Sequence, residues 1–331
     1  MLKKILSNNF LRTTLALFTI TFIGCRNQAT STYFTQTTTN INENLPLVVA
    51  TTTVLCDLTR QVAENTINLI CLGSPGNESY KYQAAPADRE AIAQADIIFH
   101  SGYNLTPELS EIVAESQNPP ALKIAVNQLA VPQPQQFQVS GQNLTNPHIW
   151  HNPQNAIRMV AIISNNLEKL APDNAILYSS NTTAIQNQLT QLDSWIKSRI
   201  NTIPDNQRKL VTTSNILNYY TTAYKIPLVV GLNGISSGNN PSDAQVKNWA
   251  KTIQQAQVPT IFADTTINPQ LMQTVATNAN VKMSRRPLYT NGLGEPGSEA
   301  DTYQNLMVAN TRTIVEGLGG TYLIFAPKSA Q

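Results

Sequence analysis

The sequence predicts an α/β protein of two lobes, each a mostly parallel sheet flanked by helices, joined by one long rigid linking helix. Three observations lead there. From Leu47 onward, short apolar runs alternate with stretches of helical periodicity, the pattern that parallel β-α units produce. That alternation breaks off after Asn146 and resumes at Lys209. Within the gap, residues 173–203 contain neither Gly nor Pro and carry Ile185, Leu189, Leu192, Ile196, Ile200 and Ile203 on one helical stripe. At ~1.5 Å per residue such a helix runs about 45 Å, long enough to strut two lobes apart. A chain of 331 residues also has room for about two domains at ~150 residues each.

The N-terminus reads as an address. Lys3, Lys4 and Arg12 supply positive charge, and Thr13 to Ile23 is an apolar run too short to span a bilayer as a mature helix. It ends in Phe22-Ile23-Gly24-Cys25, which resembles the lipobox of bacterial lipoproteins. That resemblance implies cleavage before Cys25 and lipidation of its thiol; an ordinary signal peptide with an incidental cysteine is the alternative. Residues 1–24 are then a signal peptide and 25–46, polar with almost nothing to bury, a lipidated tether. The N-terminal lobe is expected over 47–172, the linking helix over 173–203 and the C-terminal lobe over 204–331.

Within the first lobe, LVVAT (47–51), TINLICL (66–72), ADIIFHSG (95–102) and ALKIAV (121–126) read as strands. Thr53 is placed to cap a helix bearing Val54, Leu55, Leu58 and Val62. Pro86 and Pro107 open further helices at a position where the missing N–H costs nothing. In the second lobe, KLVTTS (209–214), PLVVGL (227–232) and PTIFAD (259–264) are strands. Helices are expected over 218–224, after Ser242, from about Pro269 and over 299–317. No internal sequence repeat is visible. Two lobes on a strut favour a ligand site at their interface.

Charged residues are only 13% of the chain and the net charge is +2, without the basic stripe that nucleic-acid binding needs. Three cysteines and three histidines leave no material for a paired-CxxC zinc site. No GxSxG elbow, phosphate loop, HExxH or GxGxxG after a strand is present, so an enzyme is not expected. Beyond Cys25, only Cys56 and Cys71 remain. In an exported protein that pair invites a disulfide, with two buried free thiols the alternative.

Whole segments carry a more specific signal. VVATTTVLCDLTRQVA, SPGNESYKYQAAPADREAIAQADIIFHSG, NPHIWHNPQNA, KLVTTSNILNYYTTAYKIP, VPTIFADTTINPQLMQTVA and PLYTNGLGEPGSEADTYQNLMVANTRTIVEGLGG follow in one order. Together they resemble the substrate-binding lipoproteins of zinc and manganese ABC importers (the cluster A-I group), closest to the manganese-type lipoproteins. The histidine-rich acidic loop common in zinc-specific relatives is absent. The resemblance implies two α/β lobes, a rigid linking helix and a divalent metal, manganese or zinc, held between the lobes.

Carried over position by position, the family's four metal ligands are largely replaced. The first, a His in a P-H-x-Y-like loop, is here Tyr80 of Ser79-Tyr80-Lys81-Tyr82. The second is retained as His148 of Asn146-Pro147-His148-Ile149-Trp150. The third, a Glu or His after a V-T-S-like strand end, is Ser214, followed by Asn215. The fourth, an Asp in a Y-x-D-like loop, is Asn291 of Tyr289-Thr290-Asn291. One imidazole, a phenol, a hydroxyl and an amide carry no formal negative charge to offset a divalent ion, so binding is expected to be weak or lost.

Nearby residues could substitute. His151 would share a face with His148 if a helix began there, and Glu78 precedes Tyr80 by two positions. For both, a solvated polar role is the plainer expectation. Asp264, where the family also carries an acid, reads as a loop-capping residue; Glu295 and Asp301 follow Asn291 on its loop. His100 reads as a packed strand-end residue. The resulting expectation is a monomeric, extracytoplasmic binding protein, anchored to the bilayer through Cys25, that delivers its ligand to an ABC permease. A divergent paralogue that binds a small polar solute, or acts as a surface interaction protein, is the alternative. A metal site needs donors converging on His148; an organic site needs a larger cavity with dispersed polar groups.

Overall fold

The computed structural model describes residues 41–76, 81–116, 121–139, 142–213, 215–230 and 241–328, all within one compact unit spanning Phe34–Gln331. The N-terminal lobe is built from β1 (Leu47–Ala50), α1 (Thr53–Ala63), β2 (Asn68–Cys71), α2 (Pro86–Gln94), β3 (Ile97–His100), α3 (Pro107–Glu115) and β4 (Leu122–Ala125). Its four strands are parallel in the order β2-β1-β3-β4. Successive side chains of a strand face opposite ways, and β1 shows the consequence. Val48 and Ala50 join the central core with α1, while Val49 joins the outer layer under α2 and α3. Both faces are covered, which explains why the strand reads as a continuous apolar run.

After α4 (Val126–Ala130) and an antiparallel hairpin, β5 (Gln136–Val139) and β6 (Gln142–Thr145), the chain enters α5 (Pro153–Leu170). No helix is expected there from the sequence reading, yet Ala156, Met159, Val160, Ile163 and Leu167 recur at helical spacing and are buried. A short 3-10 turn, Pro172–Asn174, leads into the linking helix α6 (Ala175–Ile200). At 26 residues α6 runs about 39 Å at ~1.5 Å per residue, shorter than expected at both ends. A turn at residues 201–202 follows its last residue, and the helix cannot resume there because Ile203, which precedes Pro204, is pushed out of the helical region. Leu189, Leu192, Ile196 and Ile200 form its buried stripe. The helix packs on α1 and α5 from one lobe and on α7 (Asn218–Tyr224) and α10 (Tyr303–Gly317) from the other.

The C-terminal lobe repeats the β-α alternation with β7 (Leu210–Thr212), α7, β8 (Leu228–Val230), α8 (Asp243–Ala256), β9 (Thr260–Ile261), α9 (Pro269–Ala279) and β10 (Lys282–Met283). β7 pairs parallel with β8, β9 pairs parallel with β10, and β7 lies against β9. The two pairs lie side by side in the order β8-β7-β9-β10, the lateral order of the first lobe, but with no hydrogen-bonded ladder between β7 and β9 among the described residues. Strands are shorter than the apolar runs that announce them, because Thr51, Ser101 and Thr213 leave the sheets as loops.

Several caps follow the sequence chemistry. Ser242 and Gln245 form a capping box on α8, and Asn268 caps α9 before Pro269. One expectation needs correcting. Thr52, not Thr53, caps α1, with its hydroxyl accepting Leu55 N–H at 3.3 Å. Thr53 is the first helical residue, and its hydroxyl turns to the other lobe. The last helix starts at Tyr303 behind the Thr302 cap rather than at 299. Cys56 of α1 and Cys71 of β2 form a disulfide, with Cα atoms 5.5 Å apart, which decides between the two alternatives left open by the sequence. Cys25 lies outside the described residues.

Candidate functional site

The segment Asn146–Asn152 is shaped by its own short polar side chains. Asn146 Oδ1 accepts the backbone N–H of His148 at 3.0 Å, an Asx turn. The same oxygen lies 3.0 Å from His148 Nδ1. An amide oxygen can only accept, so Nδ1 carries the proton and Nε2 holds a lone pair. Ile149–His151 form a 3-10 turn, and Asn152 then caps α5 by accepting Gln154 N–H at 2.9 Å. Pro153 follows at the first helical position, where no N–H is missed. Asn127 Nδ2 donates to Pro147 O at 3.0 Å and Asn155 Nδ2 to Ile149 O at 2.9 Å. The N–H of His148 and the carbonyls of Pro147 and Ile149 are thereby each given a side-chain partner.

His148 is buried, with its ring edge-on to Trp150 at 5.1 Å between centroids. Its Nε2 has no hydrogen-bond partner among the described residues. Burial, helped by the neighbouring His151, pushes its pKa down to about 3. The ring is therefore neutral, with its tautomer fixed by a backing oxygen and its lone pair turned away. That is how a metal-ligating imidazole is prepared.

His151 departs from the solvated role expected of it. It is fully buried, and its Nε2 donates to the carbonyl of Thr290 at 2.8 Å. Burial pushes its pKa down to about 4. A 3-10 turn rather than a helix follows His148, so the two rings do not share a helical face. His151 serves instead as a pin between the His148 segment and the loop that bears Asn291.

That loop is held at several points. Asn310 on α10 mimics a strand: its Oδ1 accepts Tyr289 N–H at 2.8 Å and its Nδ2 donates to Tyr289 O at 2.7 Å. Asp264 accepts from Thr266 N–H and hydroxyl through Oδ1, at 2.8 and 2.7 Å, and from the Thr290 hydroxyl through Oδ2. Both carboxylate oxygens are thus engaged within the loops, the capping role its sequence position suggests. Asn291 is buried and donates to Thr290 Oγ1 at 3.3 Å. Two residues on, Leu293 N–H donates to Thr53 Oγ1 on α1 at 2.9 Å. Gly292 permits this approach, since a Cβ there would lie 2.6 Å from Thr53 Oγ1.

Of the four family ligand positions, His148 and Asn291 are described, on segments joined by the His151–Thr290 bond. Tyr80 and Ser214 lie outside the described residues, as does Glu78. The neighbour of Ser214 reaches the same place: Asn215 O accepts from Asn146 Nδ2 at 3.4 Å. Glu295 is exposed, and Asp301 accepts from Gly297 N–H and Asn305 Nδ2. His100 ends β3, half-buried. Among the described residues no group of three or more His, Cys, Asp and Glu is placed to hold a metal ion. The donor chemistry fits a divalent cation at His148 and fits it poorly at Asn291, where a neutral amide brings no charge. The sequence reading missed Asn146, Thr290 and Asn310. Only Asn146 had a local signal, an Asn two residues before a buried His.

Known proteins with similar chains supply the remaining context. A family model described as zinc-uptake complex component A, periplasmic, matches residues 48–317. The manganese-binding lipoprotein MntA of Halalkalibacterium halodurans is 27% identical over 271 residues, covering 82% of this chain and 88% of its own. The manganese ABC transporter substrate-binding lipoprotein scaA of Streptococcus gordonii is 27% identical over 317 residues, covering 92% and 97%. Among solved structures, the periplasmic zinc-binding protein TroA from Treponema pallidum superposes with a TM-score of 0.74 at 25% identity, over 83% of this chain and 99% of its own. With a family match across both lobes and the linking helix, this chain belongs to the periplasmic zinc-uptake component A family of metal-importer binding proteins.

Proposed function

We infer that this protein is the extracytoplasmic substrate-binding component of a manganese/zinc-type ABC importer and takes its cargo at the interface of the two lobes. It is a binding protein rather than an enzyme, as its family is. The observation that carries the inference is His148: buried, neutral, tautomer set by Asn146, with Nε2 unpartnered among the described residues. Tyr80, Ser214 and Asn291 are the other positions we assign to the site. The set supplies one strong donor and no carboxylate, so divalent capture is weak. Cargo is then handed to a membrane permease by a monomer tethered through lipidated Cys25. The Cys56–Cys71 disulfide supports an oxidising, extracytoplasmic setting.

Calorimetry of the mature protein with manganese and with zinc tests the site. Binding weaker than micromolar that disappears in His148→Ala is the expected result. Nanomolar binding would show that other groups complete the ligand set. Anchoring is tested separately: Cys25→Ser should abolish lipid labelling and release the protein from membranes, and its continued retention would refute the anchor.

A further inference from the structure

The geometry points to the Cys56–Cys71 disulfide as a thiol-exchangeable link that sets how firmly the Asn291 loop is held. A cavity of about 300 Å³ lies between the lobes, with Cys56, Arg60 and Cys71 on its N-lobe wall and Leu293, Gly294 and Pro296 on its C-lobe wall. Both cysteines are buried, 4% and 7% exposed, and the cavity wall they form is the side from which a small thiol would reach them. Arg60 Nη2 lies 3.3 Å from Cys56 Sγ and 3.7 Å from Cys71 Sγ. A disulfide sulfur is a weak acceptor, whereas a thiolate is a strong one beside a guanidinium. Arg60 thus favours the products of cleavage over the intact bond. Asp57 and Asp301 also line the cavity and oppose this effect. Burial raises the pKa of Asp57, and its Oδ2 accepts from Tyr303 N–H and Gln61 Nε2.

The exchange balances without a further oxidant. A thiolate RS⁻ attacks Cys71 Sγ, the S–S bond breaks, and Cys56 leaves as the thiolate nearer Arg60. A second RS⁻ attacks the outer sulfur of the mixed disulfide and releases Cys71. Two RS⁻ become RSSR, the protein disulfide gains two electrons, and the cysteines leave as two thiolates, that of Cys56 beside Arg60. The reductant is a small-molecule thiol or a dithiol protein.

What the link controls follows from the bonds around Leu293. Its N–H donates to Thr53 Oγ1 on α1, and its carbonyl accepts Gly76 N–H at 3.0 Å from the loop after β2. One residue of the Asn291 loop is therefore clasped by two N-lobe segments. The disulfide joins those same segments, since Cys56 sits on α1 three residues past Thr53 and Cys71 ends β2. Opening it removes the covalent tie between the two halves of the clasp, which the β1–β2 ladder and the packing of Gly73 against Thr53 then hold alone.

The test uses the oxidised mature chain with reduced glutathione, read by alkylation and mass spectrometry, and requires no metal. Its outcome is therefore independent of the transport assignment. Reduction is expected in the folded state, at a rate proportional to glutathione and faster than global unfolding. Arg60→Gln should slow it at least fivefold without changing the unfolding rate. Amide hydrogen exchange at Leu293 and Gly76 should quicken about tenfold on reduction. A rate independent of glutathione and equal to the unfolding rate would overturn the proposal. So would an unaltered rate in Arg60→Gln, or unaltered exchange at both amides.

Discussion

At the scale of single residues, the candidate site rests on two neutral histidines with opposite tautomers. His148 is protonated on Nδ1 by its bond to Asn146, and His151 on Nε2 by its bond to the Thr290 carbonyl. Both pKa values are pushed down by burial, to about 3 and about 4. A depressed histidine pKa means that protons bind the unfolded chain better than the folded one. Its stability contribution is therefore complete above the unfolded value near ~6.5 and is lost as pH falls toward the folded value. His151 alone is worth on the order of 3 kcal/mol across that window. Urea unfolding should show stability falling between pH 6.5 and 4, with a shallower fall in His151→Gln. An identical slope in the variant would refute the role given to His151. At the same scale, the missing metal charge can be put back. The variant Tyr80→His, Ser214→Glu, Asn291→Asp should bind manganese or zinc at least a hundredfold more tightly than the wild type. A well-folded triple variant with unchanged affinity would show that the interface has diverged beyond its ligands.

At the scale of elements, the contact between α1 and the Asn291 loop decides how the lobes meet. Thr53 was legible as a helix-start threonine, and its neighbour Thr52 turned out to hold the cap. Both residues can cap by type, and only the tertiary partner distinguishes them. Leu293 N–H comes from the far end of the chain, so no local pattern could assign Thr53 Oγ1 to it. The same limit hid Asn310, whose side chain stands in for a strand backbone. What local patterns could convey, they did: Pro86, Pro107, Ser242 and Pro269 all mark helix starts. The Gly292 approach gives a direct check. A methyl at Gly292 meets Thr53 Oγ1 at 2.6 Å, so Gly292→Ala must displace the loop or break the Leu293 bond. A loss of about 1–3 kcal/mol is expected, seen in urea unfolding. Combining Gly292→Ala with Thr53→Ala should cost less than the sum of the single changes, because the second removes the clash. Full additivity would place the strain elsewhere.

At the scale of the whole molecule, the two lobes share one strand order without sharing a visible sequence repeat. Parallel β-α units constrain sequence mainly through apolar runs and caps, so the same topology can be written with different residues. The linking helix is the feature that makes them one body. Its stripe, read from the sequence as Ile185 to Ile203, enters a single core that also contains Val48 and Phe99 of the first lobe and Leu210, Phe262 and Leu306 of the second. Only the outer layers, under α2 and α3 on one side and α8 and α9 on the other, are private to a lobe. Interlobe bonds from Tyr303 N–H to Asp57 Oδ2 and between Gln61 and Gln304 add to that shared core. Opening one lobe would strip apolar surface from the other. Calorimetric unfolding of the mature, oxidised protein should therefore give one transition, with the calorimetric enthalpy equal to the van't Hoff enthalpy. Leu192→Ala, at the fully buried centre of the stripe, should lower that single transition by the ~2–5 kcal/mol of a core deletion without splitting it. Two resolved transitions in the wild type, or a Leu192→Ala effect confined to one of them, would mean that the lobes fold separately and that the helix merely connects them.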